Sequence, residues 1–372
     1  MISADEVKKY GARIGLDAMG VTSAEPFPEY VKIIQNRIEN GLIPTESKEA
    51  EDIFKRLKFY SKPEKSLPQA KSVLSLGMRY LVEGNADDTR PGVPCGRVGR
   101  HYWRDFYGEL WRKKARLIDF LERNGIKCSK EAYLPYKLVA QRAGVGFYGK
   151  NCLIQTEGFG SWIVLVPIVT NADFECDSPS SSNCGPCEAC IKACPTHAIV
   201  APYTLNIGRC INHLLASTKP IPIELRPLIG NRINSCDRCQ EVCPHNRNIS
   251  PVKKKFRNPR IKWGTSPALT RLLDISEEEF KQSFADLDWY KPELRFLQRN
   301  AVVALGNIGD PVSLSALNKM LRNHESMIRA HTAWAIGRIG GPEAKRLLQD
   351  VFPKEKDVEV KKEIDNALRI LT

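Results

Sequence analysis

Eight cysteines between Cys184 and Cys243 carry the chemistry most readily read from this chain. The first four stand as Cys184-x2-Cys187-x2-Cys190-x3-Cys194-Pro195, and the last three as Cys236-x2-Cys239-x3-Cys243-Pro244. The second run carries Ile233 where a first cysteine would stand, and Cys210 upstream can supply the missing thiolate. Thiolates at x2 steps let one tight loop present consecutive sulfurs to an iron–sulfur cubane. Two such clusters in one chain move single electrons, so the pattern points to redox chemistry. Zinc and disulfides are the alternative uses. Zinc usually takes C-x2-C pairs, not three cysteines at x2 followed by x3-C-P.

In two-cluster ferredoxins the cysteine before proline serves the other cluster, because proline breaks the turn and redirects the chain. Applied here, Cys184, Cys187, Cys190 and Cys243 hold one [4Fe-4S] cluster. Cys194, Cys210, Cys236 and Cys239 hold the second. His197, His213 and His245 lie close in sequence, but eight thiolates already fill the ligand positions. The other cysteines, Cys95, Cys128, Cys152 and Cys176, cannot be paired from sequence.

A chain of 372 residues implies two or three domains around this centre. Residues 1–175 mix helical and strand patterns, which predicts an α+β or α/β domain. Ser72–Tyr80 and Ser161–Thr170 read as strands, the latter buried. Glu109–Asn124 reads as a helix with Leu110, Leu117, Ile118 and Leu121 on one stripe and Gly125 past its end. Residues 176–250 form a ferredoxin-like double-cluster domain, entered through the polar connector at Ser178–Ser182. Residues 251–372 begin with a basic linker, where six of the ten positions from Lys253 to Lys262 are Lys or Arg and Phe256 and Trp263 are interleaved. It reads as a phosphate- and base-contacting strip or as a solvated connector. Beyond it, Val303-Ala-Leu-Gly306 recurs as Trp334-Ala-Ile-Gly337 at a period of 31, with a degraded copy near Asn366–Ile370. Short helical repeats must stack to bury their apolar faces, so this part is an all-α, HEAT-like domain. Arg299, Asn300, His331 and Trp334 are packing candidates within it. Arg299, Arg329 and Arg338 are candidates to reach an RNA backbone.

Hydrophobic content of 42% is that of a globular chain, which excludes an extended or disordered class. No apolar stretch approaches 18 residues and the N-terminus has no apolar signal core, so a cytoplasmic protein is expected. The net charge of +13 favours an anionic partner such as nucleic acid.

The order of motifs closely resembles the epoxyqueuosine reductase family. It runs from Gln141-Arg-Ala-Gly-Val-Gly-Phe-Tyr-Gly-Lys-Asn-Cys-Leu-Ile154 through Phe159-Gly-Ser-Trp162 and Ile168-Val-Thr170 to the two cysteine runs. It then closes on Arg299-Asn-Ala-Val-Val-Ala-Leu-Gly-Asn307 and His331-Thr-Ala-Trp-Ala335. The resemblance, over roughly residues 60–350, implies a cytoplasmic enzyme related to reductive dehalogenases. It implies a cobalamin in an N-terminal cofactor domain and two [4Fe-4S] clusters. The implied reaction is reduction of epoxyqueuosine to queuosine in the anticodon loop of tRNA, with the HEAT-like end gripping the tRNA. A monomer served by a ferredoxin or flavodoxin is expected. By position, Cys95, Arg142, Lys150, Ile154 and Asn212 are the cobalamin-contact candidates.

Two departures from the family stand out. Its proton-donating aspartate corresponds to Lys130, with Glu131 beside it, so Glu131 is the candidate acid and Lys130 and Tyr133 are alternatives. Its Asp-Tyr-His ending is Asp105-Phe106-Tyr107 here. A related corrinoid iron–sulfur reductase with another substrate therefore stays open. So do an electron-transfer protein serving a partner enzyme and a tRNA-binding module with structural clusters.

Overall fold

The computed structural model describes residues 2–44, 56–57, 59–84, 92–252, 264–284 and 293–371. The basic run 253–263 lies outside the described residues. The chain forms two compact units, each assembled from three segments. One comprises Met1–Glu83, Asp105–Gly208 and Arg238–Lys254; the other comprises Gly84–Arg104, Arg209–Asp237 and Lys255–Thr372.

The first unit is built on a three-stranded antiparallel sheet in the order Ala18–Ser23, Ser72–Arg79, Ile163–Thr170. All eight residues of Ile163–Thr170 are buried. A strand covered on both faces needs apolar side chains at successive positions, which is why Ile-Val-Leu-Val-Pro-Ile-Val does not alternate. Val73 and Val169, paired across the ladder, pack with Val139 of the helix Tyr136–Arg142 and with Phe27, Ala132 and Leu134. By the pleat, Leu74, Leu76, Val166 and Ile168 occupy the opposite face. The helix Phe106–Arg123 also packs on these two strands. Its buried stripe of Phe106, Leu110, Lys114, Leu117, Ile118 and Leu121 has helical spacing. Asp105 caps it by accepting from the Gly108 amide at 3.0 Å, so the helix begins three residues before Glu109. Among the described residues no helix is long and apolar enough to cross a membrane.

The second unit contains the repeats. The helix Leu294–Ile308 packs on Ser326–Ile339, which packs on Val358–Ile370. The repeated glycines explain the spacing. A Cβ on Gly306 would lie 2.8 Å from Ala335 Cα, and one on Gly337 would lie 2.6 Å from Ala367 Cβ. Each glycine lets its helix approach the next, and the degraded copy near Asn366–Ile370 supplies the last surface. Arg299 is not at the surface, as a backbone-contacting role would require. It is fully buried, and its guanidinium donates to the carbonyls of Leu214, Leu215, Ser217 and Lys219 and to Asn300 Oδ1. Those carbonyls close the helix Ile211–Ala216, whose N-cap is Cys210. Arg329 is paired with Glu355, while Arg338 is exposed. His331 is buried: Nδ1 lies 2.7 Å from the Met327 carbonyl and Nε2 accepts from the Ile221 amide at 3.1 Å.

Candidate functional site

Cys184 and Cys187 lie on the loop leading into the helix Ala189–Ala193, which carries Cys190. That helix packs on Arg238–Glu241, and Cys243 follows two residues beyond its end. Burial, followed by the thiols of Cys243 and Cys184, pushes the Cys190 thiol up to about 11. Burial likewise raises Cys243, and Cys184 and Cys187 add to the shift. The resistance of Cys190 and Cys243 to ionising is what a metal cluster reverses, since a bound cation deprotonates coordinating sulfurs. This donor set fits a cubane.

One turn of the sheet-bearing part touches both cysteine runs. The Lys150 amide donates to Cys184 Sγ at 3.4 Å, and the Lys150 ammonium donates to the carbonyls of Gly185 and Cys187 at 2.8 and 3.0 Å. Asn151 Nδ2 donates to the Cys239 carbonyl at 3.4 Å, and Gln155 Oε1 lies 3.9 Å from Cys243 Sγ. Cys194 Sγ accepts from the Ala198 amide at 3.3 Å. Cys210 and Cys236 lie in the second unit.

Beside the Cys184 loop lies a cavity of about 1190 Å³ within the first unit. Tyr60, Tyr133, Tyr136 and Tyr148 line it, and Asn183, directly before Cys184, closes one side. Among the described residues, its walls carry the cations Lys32, Arg37 and Lys137 and no carboxylate residue. The volume exceeds the roughly 300–1,000 Å³ of ordinary small-molecule pockets, so a macrocycle-sized cofactor fits. Burial pushes the Tyr148 hydroxyl up to about 12, with the Cys152 thiol as the next influence. One wall is the helix Pro28–Glu39, which has no buried residue. Arg37 ties it down by donating to the Tyr203 carbonyl at 2.9 Å and approaching Cys152 Sγ at 3.9 Å.

Of the candidate acids, Tyr133 lines the same cavity, and Glu131 and Lys130 are exposed beside it in the chain. Ser129 is pinned to the sheet edge by its amide to the Val169 carbonyl at 2.9 Å and by its hydroxyl accepting from the Val169 amide. From there the chain alternates: Ala132 and Leu134 are buried in the core while Glu131 and Tyr133 face outward. Tyr133 lines the cavity, its hydroxyl donates to the Glu131 carboxylate, and its ring stacks on Tyr60 at 5.4 Å. The bond to Glu131 holds the Tyr133 pKa above its ordinary value. Lys130 is exposed beside them. Lys114 is buried over the Trp111 ring at 4.4 Å, with no hydrogen-bond partner for its ammonium among the described residues. Burial pushes it down to about 8, against the pull of Glu131 and Cys128.

None of the five cobalamin-contact candidates lines this cavity. Arg142 is spent on the Glu25 and Pro26 carbonyls and the Glu29 carboxylate, over the Phe27 ring. Ile154 is buried among Ala140, Ala143, Val145 and Leu165. Lys150 points its ammonium into the Cys184 loop. In the second unit, Cys95 is buried, with its carbonyl accepting from Asn231, and Asn212 is exposed. Sequence reasoning missed Arg37, Lys137, Tyr148 and Gln155. Tyr148 and Gln155 flank the Gly-Lys-Asn turn, and that adjacency was the available signal.

Comparison with known proteins places these features. Residues 183–246 match the 4Fe-4S double cluster binding domain and residues 295–369 match HEAT repeats. The chain is 34% identical to the epoxyqueuosine reductase of Bacillus subtilis (strain 168), covering 99% of this chain and 95% of that protein. It resembles a structure of the Bacillus subtilis enzyme with its catalytic aspartate loop swung out of the active site, at a TM-score of 0.89 and 34% identity over 99% of this chain and 98% of that one. It also resembles an epoxyqueuosine reductase crystallised with an epoxyqueuosine-modified tRNA-Tyr stem loop, at a TM-score of 0.87 and 32% identity, with the same coverage.

Proposed function

Since the chain belongs to the epoxyqueuosine reductase family, we propose that it reduces epoxyqueuosine to queuosine in the anticodon loop of tRNA, using two [4Fe-4S] clusters and a cobalamin. The observation that carries this reading is a cluster cradle and a macrocycle-sized cavity meeting at Asn183 and Cys184 in one unit. Cobalamin, when bound, supplies a low-valent cobalt whose reducing power no side chain matches.

The remaining work falls to the chain itself. Cys184, Cys187, Cys190 and Cys243 hold the cluster at the cavity. Cys194, Cys210, Cys236 and Cys239 hold the second. Electrons enter singly, from a ferredoxin or flavodoxin. Tyrosine rings on the cavity wall offer stacking faces to an unpaired base, and Lys32 and Lys137 offer charge to its phosphates. Opening an epoxide leaves an alkoxide that needs a proton. Tyr133 on the cavity wall, its hydroxyl donating to Glu131 beside it, can deliver that proton with Glu131 to resupply it, and Lys130 is the alternative donor. In this reading the enzyme acts in the cytoplasm, where its tRNA substrate is found, and as a monomer.

The resemblance itself leaves room for a second reading. It implies an aspartate where this chain carries Lys130 and a Tyr-His pair where it carries Phe106 and Tyr107, which fits a corrinoid reductase with a different substrate. The deciding experiment incubates anaerobic, cobalamin-loaded protein with epoxyqueuosine-containing tRNA and a chemical reductant, then digests the tRNA and separates its nucleosides. Queuosine supports the first reading. Protein with bound corrin and intact clusters but no queuosine selects the second.

A further inference from the structure

The Lys150 ammonium is half-buried and forms no ion pair among the described residues. Both hydrogen bonds it makes go to carbonyls of the loop Cys184–Cys187, and its amide points at Cys184 Sγ. In the cluster-loaded protein that sulfur is a thiolate ligand. Reduction adds one negative charge to a cubane. A fixed positive charge and an N–H···S bond both favour the more negative state, and hydrogen bonds and net charge around the sulfurs are what set cluster potentials. The tight turn that follows prevents the charge from drifting: Cys152 adopts φ +62°, and its amide donates to the Gly149 carbonyl at 2.9 Å. Asn151 Oδ1 accepts from the Leu153 amide and from Gln155 Nε2, which braces the same turn.

We propose that Lys150 is a positioning residue that raises the reduction potential of the cluster held by Cys184, Cys187, Cys190 and Cys243, and so directs electrons to the cavity side of the enzyme. This rests on the two-cluster reading above. It assigns Lys150 to the cluster rather than to the corrin amides. The backbone amide bond to Cys184 survives any side-chain change at position 150, so substitution isolates the contribution of the ammonium.

The test is a redox titration of the anaerobic holoprotein, followed by electron paramagnetic resonance. Each step adds one electron from dithionite to a [4Fe-4S]2+ cluster to give [4Fe-4S]1+. Lys150→Met keeps the aliphatic stem and removes the charge; Lys150→Arg keeps the charge. In Lys150→Met, one of the two midpoints should fall by the equivalent of about tenfold in the oxidised-to-reduced ratio, about 59 mV for a one-electron couple. The other midpoint should stay put. Lys150→Arg should return the shifted midpoint most of the way. Native-like midpoints in Lys150→Met with both clusters present overturn the proposal. If Lys150→Met loses the cluster, Lys150→Gln is titrated in its place, and loss there too reduces Lys150 to a loop clamp and overturns it. Native protein without two clusters by iron and sulfide content overturns the two-cluster reading itself, a failure distinct from an unmoved midpoint.

Discussion

Replacing Arg299 with methionine should empty one cluster site and spare the other. The guanidinium is fully buried, and burial pushes its pKa down from 12.5 to about 10, a penalty of about 3 kcal/mol. Methionine removes that penalty and keeps most of the volume. It also strips the donors from the carbonyls of Leu214, Ser217 and Lys219, whereas Leu215 keeps its bond from Asn300 Nδ2. Asn300 Oδ1 loses the same donor; the buried Leu214 and Asn300 acceptors left without it cost about 1–3 kcal/mol each, and the part-buried Ser217 and Lys219 carbonyls less. The balance is a destabilisation of about 2 kcal/mol, concentrated where the helix Ile211–Ala216 ends. Cys210 caps the start of that helix, so releasing its far end loosens the residue proposed as a ligand of the second cluster. The four cysteines assigned to the first cluster all lie in the other unit. Anaerobically purified Arg299→Met should therefore hold about four irons per chain where the native protein holds about eight. Arg299→Lys should not rescue it, because three ammonium donors cannot serve five acceptors held in a planar fork. Eight irons and an unchanged unfolding midpoint in Arg299→Met would refute the reasoning.

Three further outcomes follow from the geometry. Tyr133→Phe, at a half-exposed position, should fold normally and lower kcat by about 10²-fold or more with little change in KM, measured as queuosine formed per minute; an unchanged kcat would remove Tyr133 from proton delivery. His331 is held neutral because burial pushes its pKa down to about 3, so on acidification the unfolded chain takes up a proton near pH 6.5 that the folded state refuses. Stability should thus fall as pH falls, by about 2 kcal/mol between pH 6.5 and 5, with His213 adding in the same direction; denaturant titrations followed by tryptophan fluorescence should show a smaller pH dependence in His331→Gln. Gly306→Ala places a methyl 2.8 Å from the backbone of Ala335 and should destabilise the repeats by about 1–3 kcal/mol, read as a lower Tm of the same emission.

Features set by neighbours along the chain were legible in the amino-acid order. The cysteine runs are legible because cluster ligation is a matter of two- and three-residue steps. The helix Phe106–Arg123 declared itself through its stripe, and the repeats through Gly306 and Gly337, which recur because each faces the next helix. What could not be read was the destination of long basic side chains. Arg299 finds its acceptors 80 or more residues upstream, and Arg142 finds Glu29 across 113 residues. Lys150 looked like a cofactor ligand because its turn is glycine-rich, yet its reach is fixed by a loop 35 residues on. The outward placement of Glu131 and Tyr133 depended on two inward residues, too short a pattern to distinguish from a surface loop.

The helix Pro28–Glu39 covers the cavity with no fully buried residue, and its Tyr30 packs against the core around Phe27 and Val139. Swinging it aside would therefore disturb that partly buried ring, and its opening free energy rests on this contact and a handful of polar ties at Arg37 and Arg142. A cofactor too bulky to thread between packed layers gains a route in that leaves the sheet undisturbed. Amide hydrogens of residues 28–39 should exchange well ahead of those in the helix Phe106–Arg123, and loading should slow them.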